Sequence, residues 1–293
     1  MSVLEKRLEF WLVTTDHLTD RIWFRDEEDF RMGMNLVVVL VCALGVNVLS
    51  FILMSNHVHF VLSCSYEKAI EFIEEYKRRY AQYAHWKYGT WTLLRRNRFK
   101  VDSIDGNNES LEWAIAYVQM NSVAANICLT PNAYPWGTGD SFFKVKQAKG
   151  RRVGDLSRRS LRHILHSRQE LPANLLLGDD GYILPESYVQ VQLVQNVFHT
   201  PKRMNYFLQN SSKAKRRLTN EKDLPAFRDQ VVSAGVSDLC QSLFRKSGLE
   251  SMSEAELSEL FKQIRFRFSS NVNQIARVTG LPYATVASLL DRA

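Results

Sequence analysis

Polar and apolar positions alternate from Glu9 to Thr15 (EFWLVTT), which predicts a first strand. Asp26 to Leu44 predicts a helix whose acidic opening, DEED, suits the positive end of the helix dipole. Val46 to Met54 and His57 to Cys64 predict two strands joined at Ser55-Asn56, a turn-forming pair. Glu67 to Tyr88 carries Ile70, Ile73, Tyr76, Tyr80 and Tyr83 at helical spacing and predicts a long amphipathic helix. A basic loop, Arg95 to Lys100, and a turn-rich segment, Asp105 to Ser110, lead to a further helix over about Leu111 to Ile127, ended by Thr130-Pro131.

This order predicts an α/β (α+β) fold, an antiparallel central sheet flanked by helices. After Tyr134-Pro135-Trp136 the texture changes. Lys144 to Arg168 is strongly basic, much of Leu171 to Phe227 reads as helical with polar loops, and from Asp229 onward the chain reads as all-helical. The expected division is therefore 1–145, 146–225 and 226–293, with the role of the middle part open. There is no internal repeat or low-complexity tract.

Asn35 to Met54 contains twenty uncharged residues, the length of a bilayer span. Gly45 and Asn47 interrupt it, and β-branched and aromatic residues dominate afterwards, so a buried helix followed by a buried strand is the expected reading, with no membrane partner. Net charge is +7 with a pI near 9.2, a bias that suits a polyanion. Cys42, Cys64, Cys128 and Cys240 are widely spaced with no C-x-x-C pair, which argues against a disulfide framework. With no signal-peptide core at the N-terminus, the expected location is the cytoplasm, associated with the nucleoid.

Within MSNHVHFVL, a strand would turn His57 and His59 to one face and Val58, Phe60 and Leu62 to the other. Two imidazoles held side by side make half of a divalent-metal site, and the same spacing also suits hydrogen-bonded core histidines. A histidine-triad nucleotide hydrolase would need a third histidine where Val61 stands, and a structural zinc site has only Cys64 nearby. A metal-assisted DNA nuclease would need one more ligand and a nucleophile.

The chain here resembles the HUH single-tyrosine transposases, the insertion-sequence-200-like and REP-associated group. Leu12-Val13-Thr14, Arg21-Ile22-Trp23, Leu53 to Leu62, Arg98-Phe99-Lys100, Ala116 to Ala125 (AYVQMNSVAA) and Tyr134-Pro135-Trp136 follow in that family's order, over about half the chain. The resemblance implies that Tyr117 is the nucleophile and that Asn121, one helical turn on, completes a Mg²⁺ or Mn²⁺ site with His57 and His59. It also implies a 5′-phosphotyrosine intermediate and rejoining of single-stranded or hairpin DNA. Ser55 and Ser122 stand where the family usually has proline.

Two basic stretches suit a nucleic-acid backbone: Lys77, Arg78 and Arg79 beside Tyr80, and Arg95, Arg96, Arg98 and Lys100 around Phe99. Val272 to Leu290 fits a helix-turn-helix, with Ala276, Gly280 and Val286 at the contact, turn and core positions and Ile275, Leu281 and Leu289 as further core. Tyr283, Thr285 and Ser288 would then face a duplex major groove; an ordinary helical hairpin or a protein-binding module fits the same pattern. The expected partner is DNA, single-stranded or hairpin at the catalytic region and duplex at the C-terminal module, with homodimerisation open. Two rivals remain: a domesticated nickase acting on repeated palindromes, and a helix-turn-helix regulator with a vestigial catalytic site.

Overall fold

The computed structural model describes residues 9–105, 109–145, 148–211 and 227–291. Strands β1 (Phe10–Thr15), β2 (Asn47–Met54), β3 (His57–Ser63) and β4 (Phe99–Ile104) form one antiparallel sheet in the order β2-β3-β1-β4. The predicted class is therefore observed: an α+β architecture with an antiparallel sheet, flanking helices and a helical C-terminal region. β4 corrects the expected Arg95–Lys100 loop, because Phe99 and Lys100 already pair with Thr15 and Thr14. Its short, half-exposed pattern is weak as a strand signal, and pairing along the open edge of β1 makes it one.

The long uncharged stretch divides as expected. Helix α1 (Glu27–Leu44) opens on Asp26, whose side chain accepts from Asp29 N. It stops at Gly45, whose φ of 62° is the left-handed conformation that glycine adopts without a Cβ penalty. The chain then enters β2, and no helix among the described residues is long and apolar enough to cross a membrane.

Helix α2 (Tyr66–Tyr88) buries Phe72, Ile73, Tyr76 and Tyr80. The Phe60 ring meets those of Phe72 and Tyr76 with centroids 5.1 and 5.3 Å apart, so α2, packed beside α1, covers the sheet face carrying Val58, Phe60 and Leu62. The opposite face, with His57 and His59, receives α3 (Ser110–Gln119) and α4 (Asn121–Ala124). One continuous helix to Ile127 was expected, but the chain breaks at Met120 and α4 ends at Ala124. Asn121 Nδ2 donates to Tyr117 O and Val118 O, the acceptors that a continuous helix would offer to the backbone N–H groups of residues 121 and 122.

Residues 148–211 form a short hairpin, β5 (Arg151–Arg152) with β6 (Leu176–Leu177), and helices α5 (Arg158–Leu165), α6 (Val191–Phe198) and α7 (Pro201–Asn210). The helical reading of Leu171 to Phe227 thus holds over Val191–Phe198 and Pro201–Asn210, β6 and turns come first, and its last part, 212–226, lies outside the described residues. Val153, Leu165, Ile183, Phe198 and Phe207 share the core of the sheet. Buried Asn35 ties this part to α1, with its amide on Ile164 O and Gly181 O and its Oδ1 accepting from Ile183 N. A second core, built on Val232, Leu260, Phe261, Ile275, Val286 and Leu289, joins α8 (Asp229–Phe244), α9 (Glu254–Phe268), α10 (Val272–Thr279) and α11 (Tyr283–Asp291).

Candidate active site

Strand alternation places His57 and His59 on one face with their ring centroids 4.8 Å apart and nearly perpendicular. Asn56 Nδ2 donates to Leu18 O at 3.0 Å, which fixes the amide so that its oxygen meets His57 Nδ1 at 2.8 Å. An amide oxygen can only accept, so Nδ1 carries the proton and Nε2 of the neutral ring carries the lone pair. His59 is held on the same side by Thr14, its cross-strand partner, whose Oγ1 lies 3.0 Å from Nδ1. Thr15 steadies the strand by accepting from Val58 N.

Tyr117 reaches the pair from α3. Its half-buried ring meets that of His59 edge-on, with centroids 5.5 Å apart. Asn121 is buried, and its two Nδ2 bonds fix the amide and leave Oδ1 as its acceptor end. Ring nitrogens with oxygen-held Nδ1 atoms, together with an amide oxygen, are a donor set that fits a divalent cation.

Two contacts at the site escaped the sequence reading. His17, just after β1, stacks on His57 at 3.7 Å and 16°; nothing in its neighbourhood in sequence marks it. Ser55, in the turn before His57, donates to Asp229 Oδ2 at the start of α8. Asp229 also accepts from Arg277 Nε (2.9 Å), Arg277 Nη2 (3.0 Å) and Gln274 Nε2 (3.0 Å). Burial pushes its carboxyl up, but the Arg277 charge and these hydrogen bonds outweigh that and hold it below the ordinary carboxylate value.

The two basic clusters part company. Lys77, Arg78 and Arg79 lie on α2, across the sheet from the histidines. Lys77 Nζ donates to Asn97 O over the Phe99 ring, and burial lowers its pKa. Arg78 and Arg79 both grip Glu75, pulling its carboxyl down to about 2. The second cluster is near the site: Asp16, next to His17, donates its N–H to Arg98 O and pairs with the Arg98 guanidinium at 3.2 Å. Lys100 pairs with Thr14 in register and so shares the sheet face of His59. Arg95 and Arg96 are exposed in the preceding loop.

At the C-terminus, α10 and α11 are joined by a tight turn at Gly280, whose φ is 71°. Tyr283, Thr285 and Ser288 are exposed on α11, while Val286, Leu289 and Leu290 are buried.

No family model and no curated protein matches this chain. Among solved structures, that of a REP-associated tyrosine transposase bound to a REP hairpin is similar at 11% identity and a TM-score of 0.34, covering 59% of this chain and 92% of that one.

Proposed function

We propose that this chain is a metal-dependent DNA transposase that nicks and rejoins single-stranded or hairpin DNA through Tyr117. The observation that carries the reading is the edge contact between the Tyr117 and His59 rings, which joins a phenol to a pair of oriented imidazoles from a distant part of the chain. Tyr117 Oη attacks the scissile phosphorus, a Tyr–O–P bond forms, and the bond to the 3′ oxygen breaks. The phenol loses its proton to solvent and the departing 3′ oxygen takes one up, leaving a 5′-phosphotyrosine and a free 3′-OH. Attack by a 3′-OH reverses the exchange and returns the tyrosine. One phosphoester bond replaces another at each step, so no nucleotide cofactor is consumed.

His57, His59 and Asn121 would hold Mg²⁺ or Mn²⁺, which would supply positive charge at the scissile phosphate. Asn56 and Thr14 keep the imidazoles in the required orientation. Arg95, Arg96, Arg98 and Lys100 would bind the strand entering beside His59. The exposed face of Tyr283, Thr285 and Ser288 would bind duplex DNA.

The test is incubation of a 3′-labelled single-stranded hairpin with Mn²⁺, followed by denaturing electrophoresis. A protein–DNA adduct that survives denaturation is expected from the wild type and not from Tyr117→Phe, which loses one oxygen but keeps the ring. An undiminished adduct from Tyr117→Phe would show that another group is the nucleophile.

A further inference from the structure

The two cores meet beside His57. A cavity of about 150 Å³ opens there, walled by Asn56, His57 and Tyr134 from the sheet side and by Arg228, Gln230 and Gln274 from the helical C-terminal side. The second wall is fixed relative to the histidine, because Asp229 binds Ser55 and Gln230 Nε2 donates to Phe24 O at 2.7 Å. Phe24 N and Trp23 N in turn donate to Ser55 O. This cavity is therefore a built feature of the docked pair.

Its most informative lining residue is Gln274. Gln274 is 1% exposed, and its Nε2 is engaged by Phe227 O (2.7 Å) and Asp229 Oδ1 (3.0 Å), which settles the orientation of the amide. Oε1 is left buried with no donor among the described residues. Buried acceptors are rarely left without a donor, because desolvation is then uncompensated. Tyr134 lines the same space with its hydroxyl already committed to Leu53 O, and the Arg228 guanidinium lies 5.9 Å from its ring centre. An aromatic wall, a cation and an unmatched amide oxygen are the contacts an unpaired nucleobase requires. The space is about ten times what one water needs, room for one planar ring without its sugar and phosphate.

We propose that this cavity binds the base of a nucleotide flanking the scissile phosphate, and that it takes a base bearing an exocyclic amine. The amine donates to Gln274 Oε1, the ring lies against Tyr134, and Arg228 donates to a ring acceptor. Thymine has no such amine, and its one edge donor, N3–H, lies between two carbonyl oxygens that would crowd Gln274 Oε1, so it is disfavoured. The inference rests on the transposase reading for the identity of the substrate, and the helical C-terminal region becomes part of the substrate site.

The full-length protein would be tested in two ways. First, fluorescence anisotropy competition would compare short single strands of dA, dC and dT. Second, once the cleavage position is mapped, adduct rates would be measured with each base, and with an abasic unit, on either side of it. Wild type is expected to lose about tenfold in affinity for dT relative to the better of dA and dC, and about tenfold in adduct rate with thymine or an abasic unit at one flank. Gln274→Met should flatten that preference. Arg228→Gln, which leaves the Asp229 contacts intact, should flatten it as well and covers the case in which Gln274→Met loosens the bundle. Adduct formation at one rate whatever the flanking base would overturn the pocket and leave the transposase reading standing. Base-dependent binding without any adduct would sustain the pocket and overturn the nucleophile. Flat results in both assays, as expected if water fills the cavity, would overturn the inference.

Discussion

Replacing Asp229 by Asn should undock the C-terminal helices from the turn that precedes His57. The Asp229 side chain is 3% exposed and that of Arg277 15%, so the substitution strands a mostly buried guanidinium while weakening the bonds from Ser55 and Gln274. Breaking a buried pair from one side costs about 3–5 kcal/mol. The residual exposure of Arg277 puts the expectation at the lower end, about 3 kcal/mol, or roughly a hundredfold in the docking equilibrium. Hydrogen exchange followed by mass spectrometry should show protection falling in 229–291 while β2 and β3 keep theirs. Removing both charges with Asp229→Ala and Arg277→Met should recover much of the loss, because neither charge is then buried alone. The acid response follows from the depressed carboxyl of Asp229. The folded state binds that proton less readily than the unfolded chain, so the contribution is present above about pH 4 and is lost as pH falls through the lower, folded value. Asp229→Asn should therefore flatten the acid limb of the stability curve. A loss under about 0.5 kcal/mol, the scale of ordinary surface substitutions, would refute the reasoning, as would a double variant no better than the singles.

His57→Ala or His59→Ala should lower Mn²⁺ affinity, read by calorimetry, and with it adduct formation, while Thr14→Val should cost about 10–100-fold by freeing the His59 ring; equal adduct yields in EDTA and in Mn²⁺ would exclude the cation. Gly33→Ala should lower the melting temperature despite the better helix propensity of alanine, since the new Cβ would lie 2.6 Å from Phe24, 2.9 Å from Leu53 and 2.9 Å from the Tyr76 hydroxyl. Overpacking of that kind costs about 1–3 kcal/mol against about 1 kcal/mol gained from propensity. Thr285→Ala with Ser288→Ala should leave stability within about 0.5 kcal/mol, both residues being exposed, and should weaken duplex binding in gel shifts; unchanged duplex binding would assign α11 to packing alone.

Much of the sheet and its two long helices was legible in the residues. Asp26 and Gly45 cap α1 by their own chemistry, the alternation of HVHFVL sorts histidines from core residues, and the spacing of Ile73, Tyr76 and Tyr80 encodes the buried face of α2. Local signals of this kind need no distant partner. β4 is not legible locally because FKVDSI becomes a strand through partners 84 to 94 positions upstream (Thr15 with Phe99, Phe10 with Ile104), and the break at Met120 depends on a side chain turning back on its own helix.

The site divides along the same line. The sequence by itself determined that His57 and His59 share one strand face, because local period settles which side a residue takes; Tyr117 and Asn121 were candidates only through the family resemblance. Only the tertiary structure decided which groups meet: His17 over His57, Arg98 beside Asp16, Lys77 to Arg79 on the far face, and Asp229 closing on Ser55. Ser55 illustrates the difference, since a proline there could shape the same turn but could not donate to a carboxylate 174 residues away. Long-range hydrogen bonds and ring contacts have no period along the chain, and form only when packing, within one core or between the two, brings their partners together.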